Sequence, residues 1–564
     1  MTNKEIARAF TDLADIMELH GENTFRIRTY QNAYITLRKL DTPLSTMSRA
    51  DMEAVKGVGK AIADKIEELL RTGEMQAYRQ YTDKTPSGVV DMLRIKGFGP
   101  KKVEAVWKEL GIETVGELLY ACNENRLIEL HGFGKKTQDE ILKNADYYLK
   151  SRNKIHWAVA DEMAMDVVKH LEANIKKTGT APDFRIERVG ALRRYLPVIE
   201  RLEFLIAGVP NLSELLDKPS LLLIEQKADS YLAKTESGFP VFIYTCELQA
   251  FGSKFFKYAS SPDFLKAFIK NTVERTPSGE GADFKNLADE KQVFEKAQIP
   301  YIAPELREDA SILNKAEASN LPNLIHLGDI RGVIHSHSTW SDGLQSIEAM
   351  AAAAQELGYQ YLGMTDHSKA AFYANGLKED RLVAQWAEID KLNQSLFNFK
   401  ILKGIESDIL SDGSLDYAED ILRGFDFVIA SIHSNLKMTE EKATNRLIKA
   451  IENPYTTILG HPTGRLLLSR TAYPIDHKKI IEACAANGVA IELNANPYRL
   501  DLDWTWIPYA RDCGVLISIN PDAHSVAGIQ DIRYGVLTAR KGGLDAEGCL
   551  NARDVDGFLK FCKK

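Results

Sequence analysis

The stretch GVIHSHSTWSDG (332–343) ends a short apolar run in His335 and His337, with Asp342 within a turn of them. Residues two apart on a strand share a face, so both imidazoles point the same way. One H-x-H pair is weak evidence, because most such histidines belong to an ordinary surface or core. Here the design repeats. YLGMTDHS ends in Asp366 and His367, KILKGIESD in Glu406, FDFVIASIHS in His433, TTILGHPTGR in His461, and GVLISINPDAHS in Asp522 and His524. Six of the chain's 12 histidines lie at these strand ends, and with Asp342, Glu406 and Asp522 they make nine nitrogen and oxygen donors without a thiolate. That set suits Mn²⁺, Zn²⁺ or Fe²⁺ and disfavours an iron–sulfur cluster or Cu(I). Nine donors are too many for one ion, so two to three clustered divalent ions are expected. Carboxylate-bridged ions serve phosphoester hydrolysis by making a nucleophile near neutral pH and neutralising phosphoryl charge.

Between these runs lie helical patterns, among them SIEAMAAAAQELG, RLVAQWAEIDKLNQSL, KATNRLIKAIEN and HKKIIEACAANG, with GVAIELNANP as a further strand. Alternation of strand and helix implies a parallel sheet with crossovers. About seven such units predict a closed (β/α) barrel with its site at the C-terminal strand ends, where the donors fall. The series HSHSTWSDG, TDHS, GIESDI, IASIHS, LGHPTGR and PDAHS resembles the PHP (polymerase and histidinol phosphatase) metallohydrolase domain from residue 329 onward. The resemblance implies a distorted (β/α)7 barrel with three metals. It would place the first on His335, His337, Glu406 and Asp522, the second on Glu406, His433 and His461, and the third on Asp342, His367 and His524. For catalysis Glu406 is expected to bridge two ions, with a metal-bound water or a nearby ligand such as Asp342 or His524 protonating the leaving oxygen.

At 564 residues the chain exceeds a single core, and three or four domains are expected. A hydrophobic content of 45% with 27% charged residues is that of a globular protein, and the net charge of −8 argues against a basic surface all round. Six scattered cysteines without a CxxC pair fit reduced thiols, and the apolar runs are too short to span a bilayer. A cytoplasmic monomer without membrane contact is expected.

Residues 1–150 read as helical and contain a repeat. VKGVGKAIADKIEEL (55–69), IKGFGPKKVEAVWKEL (95–110) and LHGFGKKTQDEIL (130–142) share the order apolar, any residue, Gly, apolar, Gly, Lys or Pro-Lys, helix. In helix–hairpin–helix elements such a turn exposes backbone N–H groups at a helix N-terminus, which hold a phosphate without reading the base. Gly57, Gly59, Lys60, Gly97, Gly99, Lys101, Gly132, Gly134 and Lys135 are therefore candidate DNA-backbone contacts.

FRIRTYQNAY (25–34) and GVGKAIADKI (57–66) resemble the lyase-like and fingers portions of family X DNA polymerases, and Lys65 matches the family's Schiff-base lysine. A phosphate-binding or solvent-facing role for Lys65 is the stronger expectation, since Asp64 and Glu67 would oppose the lowered pKa a Schiff base needs. RVGALRRYLPVIERLEFLIAG (188–208) resembles the palm stretch carrying a Gly-Ser phosphate motif, an Arg pair and Asp-x-Asp. Gly190, Arg193 and Arg194 are kept, but Ala191 stands at the serine, Arg201 and Glu203 at the aspartates, and Phe242 at the third metal-binding aspartate. One carboxylate cannot hold two Mg²⁺ ions, so Mg²⁺ at the palm is not expected and the polymerase site is read as degenerate. IPYIAPELRED (299–309) anchors the end of the resemblance.

The organisation expected is a helical lyase-like domain with a helix–hairpin–helix (1–82), a helical fingers-like domain with two more (83–150), a palm and thumb of α+β nucleotidyltransferase type (151–315), a linker (316–328) and the PHP domain (329–564). Arg465, Arg470 and Arg499 follow donor-bearing strands and would meet phosphates, with Tyr498 as a base platform. Trp504 and Trp506 read as packing residues, His326 as structural and His477 as surface.

A DNA phosphodiesterase is expected, a 3′→5′ exonuclease processing 3′ ends or gapped and damaged DNA in repair. The alternatives are an active family X polymerase using Glu200 or Glu203, a small-molecule phosphatase of histidinol-phosphate type, and an inert scaffold.

Overall fold

Three glycine turns shape the first of two units, Met1–Leu149, in a computed structural model that describes residues 1–40, 42–128, 130–150, 154–178, 183–209, 212–216, 221–275 and 283–563. Gly57, Gly97 and Gly132 adopt φ of 94°, 79° and 85°, a region that side chains resist. The next residue, Val58, Phe98 or Phe133, is buried and pins each turn to the core. Gly59 and Gly99 then cap α1 (Lys60–Thr72) and α2 (Pro100–Leu110), and Gly134 precedes α3 (Lys135–Lys150). The unit's first helix, Asn3–Leu19, opens with a capping box between Thr2 and Glu5 and buries Ile6, Phe10, Leu13 and Met17 along one stripe.

The second unit, Lys150–Lys564, holds a 5-stranded and a 7-stranded sheet, besides a two-stranded ladder of Ile155–His156 with Val198–Ile199. The boundary expected after residue 150 abuts residues 151–153, which lie outside the described ones. The palm pairs β1 (Arg185–Arg188), β2 (Leu202–Ala207), β3 (Leu221–Lys227), β4 (Ser230–Thr235) and β5 (Pro240–Cys246) in the order β1-β2-β5-β4-β3, with only β2 and β5 parallel. LEFLIA is buried along its whole length, as a central strand's apolar run should be. It packs against α4 (Trp157–Thr178) through Leu171, Phe204 and Ile206. Beyond this sheet Phe256, Phe264, Phe268 and Phe294 form a separate aromatic core.

The barrel's strands are β6 (Gly332–Val333), β7 (Tyr361–Met364), β8 (Lys400–Asp408), β9 (Phe427–Ser431), β10 (Ile458–Leu459), β11 (Ala490–Asn494) and β12 (Ile517–Asn520). They form a 7-stranded parallel sheet in sequence order, so the barrel expected from the strand–helix alternation is present. It is nearly closed where His337 N donates to Ala523 O at 2.8 Å, joining the first donor-bearing segment to the last. The Phe427 ring fills the interior beside Gly363 and Gly404, where any Cβ would stand 2.5 Å from it. This packed floor leaves the C-terminal strand ends as the place for a site.

Palm and barrel meet through charge as well as apolar packing. Glu305 is 2% exposed and takes Arg193 at 3.5 Å and Arg540 at 2.6 Å, while Glu308 takes Arg194 and Lys541, both at 2.8 Å. The Arg pair kept in the palm stretch is thus paired inside the protein. Among the described residues no helix is long and apolar enough to cross a membrane.

Candidate metal centre

Glu406 projects from β8, and its carboxylate is the hub of the barrel's mouth. His461 and His433 reach its Oε1 at 3.0 and 3.1 Å, His367 reaches Oε2 at 2.9 Å, and His335 and His337 stand at 3.5 and 3.7 Å. Asp522 lies 3.1 Å from His337 and 3.5 Å from His335. Asp342 faces His524 at 3.5 Å, His367 at 3.6 Å and His337 at 3.9 Å. Strands β6 to β10 and β12 each deliver their donors at or just past the C-terminal end, and the structure brings all nine together.

Their grouping is less separable than three independent sets. Three groups have donor atoms close enough to share an ion: His335, His337 and Asp522; His367, Glu406 and His433; and His337, Asp342, His367 and His524. His337 and His367 stand between groups because each imidazole presents one nitrogen to either side. His461 joins through Glu406.

The fit to divalent cations rests on unsatisfied atoms. His335 Nε2, His337 Nδ1, Asp342 Oδ2, His367 Nδ1 and Glu406 Oε2 are buried and make no hydrogen bond among the described residues. Buried polar atoms are normally paired, and lone pairs converging without hydrogens between them are what cations satisfy. Burial, with His524 and His367 beside it, pushes the His337 imidazole down to about 3, so it is held in the neutral, ligating form. Burial opposes charge on Glu406, yet His433, His335 and His367 outweigh it and hold the carboxyl well below its usual range.

Two carboxylates that the strand-end pattern did not single out hold the candidate donors in place. Glu492, buried within β11, accepts from His335 Nδ1–H at 2.6 Å, from His461 N at 2.6 Å and from Asn520 at 2.9 Å. Asp408 accepts from His433 Nδ1–H. Such partners fix tautomer and ring direction and raise ligand basicity. The Asp366 carboxylate is taken up by the protein: it accepts from Ser338 N at 2.8 Å, Ser341 Oγ at 2.5 Å and Gln385 at 2.6 Å, shaping the turn that carries Asp342.

Arg499 is buried with its Nε 4.0 Å from Asp522, at the centre itself. Arg465 differs from expectation: it donates to Asp503 at 2.5 Å, to Arg499 O at 3.0 Å and to Leu500 O, so its guanidinium braces a loop and is not presented to a phosphate. Arg470 likewise donates to Gly464 O at 3.0 Å. Tyr498 also differs, its ring packing edge-on against His156 of the palm at 4.7 Å. His477 stacks on Trp506 at 4.5 Å and is half-buried, while Lys541 covers Trp504 at 4.4 Å.

The palm position is arranged differently. Glu203 and Phe242 are direct partners across β2 and β5. Arg201 donates to Glu203 at 3.1 Å with its guanidinium 4.8 Å over the Phe242 ring, and Tyr244 donates to the same oxygen at 3.2 Å. The Glu203 carboxylate lies against Gly190, beside the partly buried Ala191. Glu200 is exposed and pairs with Lys154 at 2.7 Å.

In the helical unit Lys60, Lys101 and Lys135 are exposed at the three helix N-termini. Nothing lies within 4 Å of a Cβ built at Gly59, Gly99 or Gly134, so these turns are open to a ligand. Beside Lys65, Asp64 and Glu67 are each paired with Arg49 at 2.5 Å.

Residues 1–75 match a helix-hairpin-helix domain, 89–146 a SAM-like helix-hairpin-helix tandem, and 334–496 the PHP domain. DNA polymerase/3'-5' exonuclease PolX of Bacillus subtilis (strain 168) is 35% identical over 99% of this chain and 100% of its own. A probable phosphatase of Acetivibrio thermocellus is 30% identical over 34% of this chain and 78% of its own, and one of Thermoanaerobacter sp. (strain X514) 29% identical over 41% and 93%.

Proposed function

The chain belongs to the family X DNA polymerases that carry a PHP domain, and on that footing we propose that it is a metal-dependent 3′→5′ exonuclease processing DNA ends in repair, with a palm that no longer transfers nucleotides. The observation that carries this is the donor cluster around Glu406 in a chain that also bears three helix–hairpin–helix turns. His335, His337 and Asp522 would hold one ion, Glu406 with His433, His461 and His367 a second, and Asp342 with His337, His367 and His524 a third. Divalent ions there would activate water and neutralise charge on the phosphoryl oxygens.

The protein's own groups do the rest. Glu492 and Asp408 fix the His335, His461 and His433 side. Arg499, from the rim, would pair with a non-bridging oxygen of the scissile phosphate. Asp342, ionised because His367 and His524 outweigh its burial, would hold His524 in place, and the proton for the leaving 3′ oxygen would come from a water held beside that pair. The backbone N–H groups after Gly59, Gly99 and Gly134 would hold the DNA backbone independently of base sequence.

Loss of nucleotidyl transfer is supported by what Glu203 already has. A carboxylate paired with Arg201 and Tyr244, beside Phe242, has its charge met by protein and lacks two companions for a metal pair. A second reading, that the chain polymerises too, is favoured by the name of the Bacillus subtilis relative, a DNA polymerase/3'-5' exonuclease; here it would require Glu203 to exchange Arg201 for an ion.

One labelled primer–template with Mn²⁺ separates the readings. Shortening of the primer that dNTPs never reverse, abolished by His335→Ala and untouched by Glu203→Ala, is the expected result. Extension with dNTPs that Glu203→Ala abolishes would make the palm active.

A further inference from the structure

Two loops at the barrel's mouth leave the barrel and enter the palm. In the loop after His461, the Leu467 carbonyl accepts from His156 Nε2–H of the palm at 3.0 Å, and Leu467 N donates to Tyr498 O at 2.7 Å. In the loop after β11, the Tyr498 ring meets His156, and Leu500, 4% exposed, belongs to the palm's apolar core with Trp157, Leu192 and Tyr534. Between these two palm-bound residues stands Arg499, whose side chain turns the other way, toward Asp522. Arg465 fastens the carbonyls of Arg499 and Leu500 from below. One short segment is therefore gripped by the palm on one face and presents a buried cation to the metal centre on the other.

We infer that the palm of this chain serves the nuclease as a brace: His156 and the seat of Leu500 are positioning residues that set Arg499 at the rim of the metal centre, where it binds the scissile phosphodiester. This deepens the exonuclease reading and rests on it. The physical ground is reach. A guanidinium recognises a phosphate only with its donor fork in register, and a loop held at one end would let it wander; an ångström of misplacement is felt strongly in rate. The probable phosphatases align with 34% and 41% of this chain, and in this chain the palm packs against that loop.

The test uses the full-length protein with Mn²⁺ and a single-stranded oligonucleotide, reading kcat, KM and bound metal for His156→Ala, His156→Gln, Tyr498→Leu, Arg499→Ala and the doubles with Arg499→Ala. His156→Ala is expected to lower kcat by about 10- to 100-fold at unchanged metal content. His156→Gln, which keeps a donor for the Leu467 carbonyl, should restore most of the rate. In the Arg499→Ala background His156→Ala should cost nothing more, because the residue it positions is gone. Multiplying effects in the double, or a folded His156→Ala protein with normal kcat, overturns the inference; should His156→Ala not fold, Tyr498→Leu decides by the same cycle. An unaltered protein that leaves the oligonucleotide intact ends the exonuclease reading, and this inference with it.

Discussion

The barrel and the palm both carry acids on buried strands, and they differ in what those acids face. In the barrel Glu406 faces His335 Nε2 and His367 Nδ1, which lack hydrogen bonds among the described residues, so its charge is balanced by groups that can equally serve a cation. In the palm Glu203 meets a guanidinium that cannot give up its proton, plus a phenol, and its balance is already complete. The lesson concerns counter-charge: a carboxylate becomes a metal ligand when its neighbours leave lone pairs open, and a structural group when a fixed cation closes them.

The sharpest way to break this contrast is at the hub. Glu406→Gln should lower hydrolysis by more than about 10³-fold and reduce bound metal, read by single-turnover cleavage and elemental analysis; full metal content with full activity would remove Glu406 from the centre. Glu492→Gln and Asp408→Asn, which leave every donor in place, should cost about 10- to 100-fold in metal affinity or rate. If they do not, ring orientation is set by packing alone.

On the helical side, replacing Lys60, Lys101 or Lys135 by Ala should weaken DNA binding for all sequences alike. Each should reduce the slope of log affinity against log salt by roughly 1, measured by fluorescence anisotropy, and an effect confined to one sequence would contradict backbone recognition. The smallest effect belongs to the palm. Arg201 is half exposed, so Arg201→Ala should change urea-unfolding stability by no more than about 1 kcal/mol and leave oligonucleotide hydrolysis intact. A large loss of hydrolysis there would tie the Arg201–Glu203 pair to the nuclease.

The donors were legible because their chemistry is local: an apolar run that stops at a histidine or acid marks a buried strand opening onto a site. The two supporting acids were harder to see for different reasons. Asp408 stands two residues after Glu406, on the same face of β8, a signal that was present. Glu492 lies inside β11, where a charged residue in a fully buried strand must have a partner, and that partner, His335, is remote in sequence. Arg465 misled for the converse reason. A basic residue just past a ligand looks destined for phosphate, but Asp503 and two carbonyls of another loop claim it.

Residue order alone yields the donor types, their strand-end positions, the parallel barrel and the three glycine turns, since each follows from periodicity and from backbone angles only glycine takes easily. The sharing of His337 and His367 between groups, the pairing of Glu203 with Arg201 and the grip of the palm on the Arg499 loop come from folding. They depend on distances between segments far apart in the chain, which no local pattern encodes.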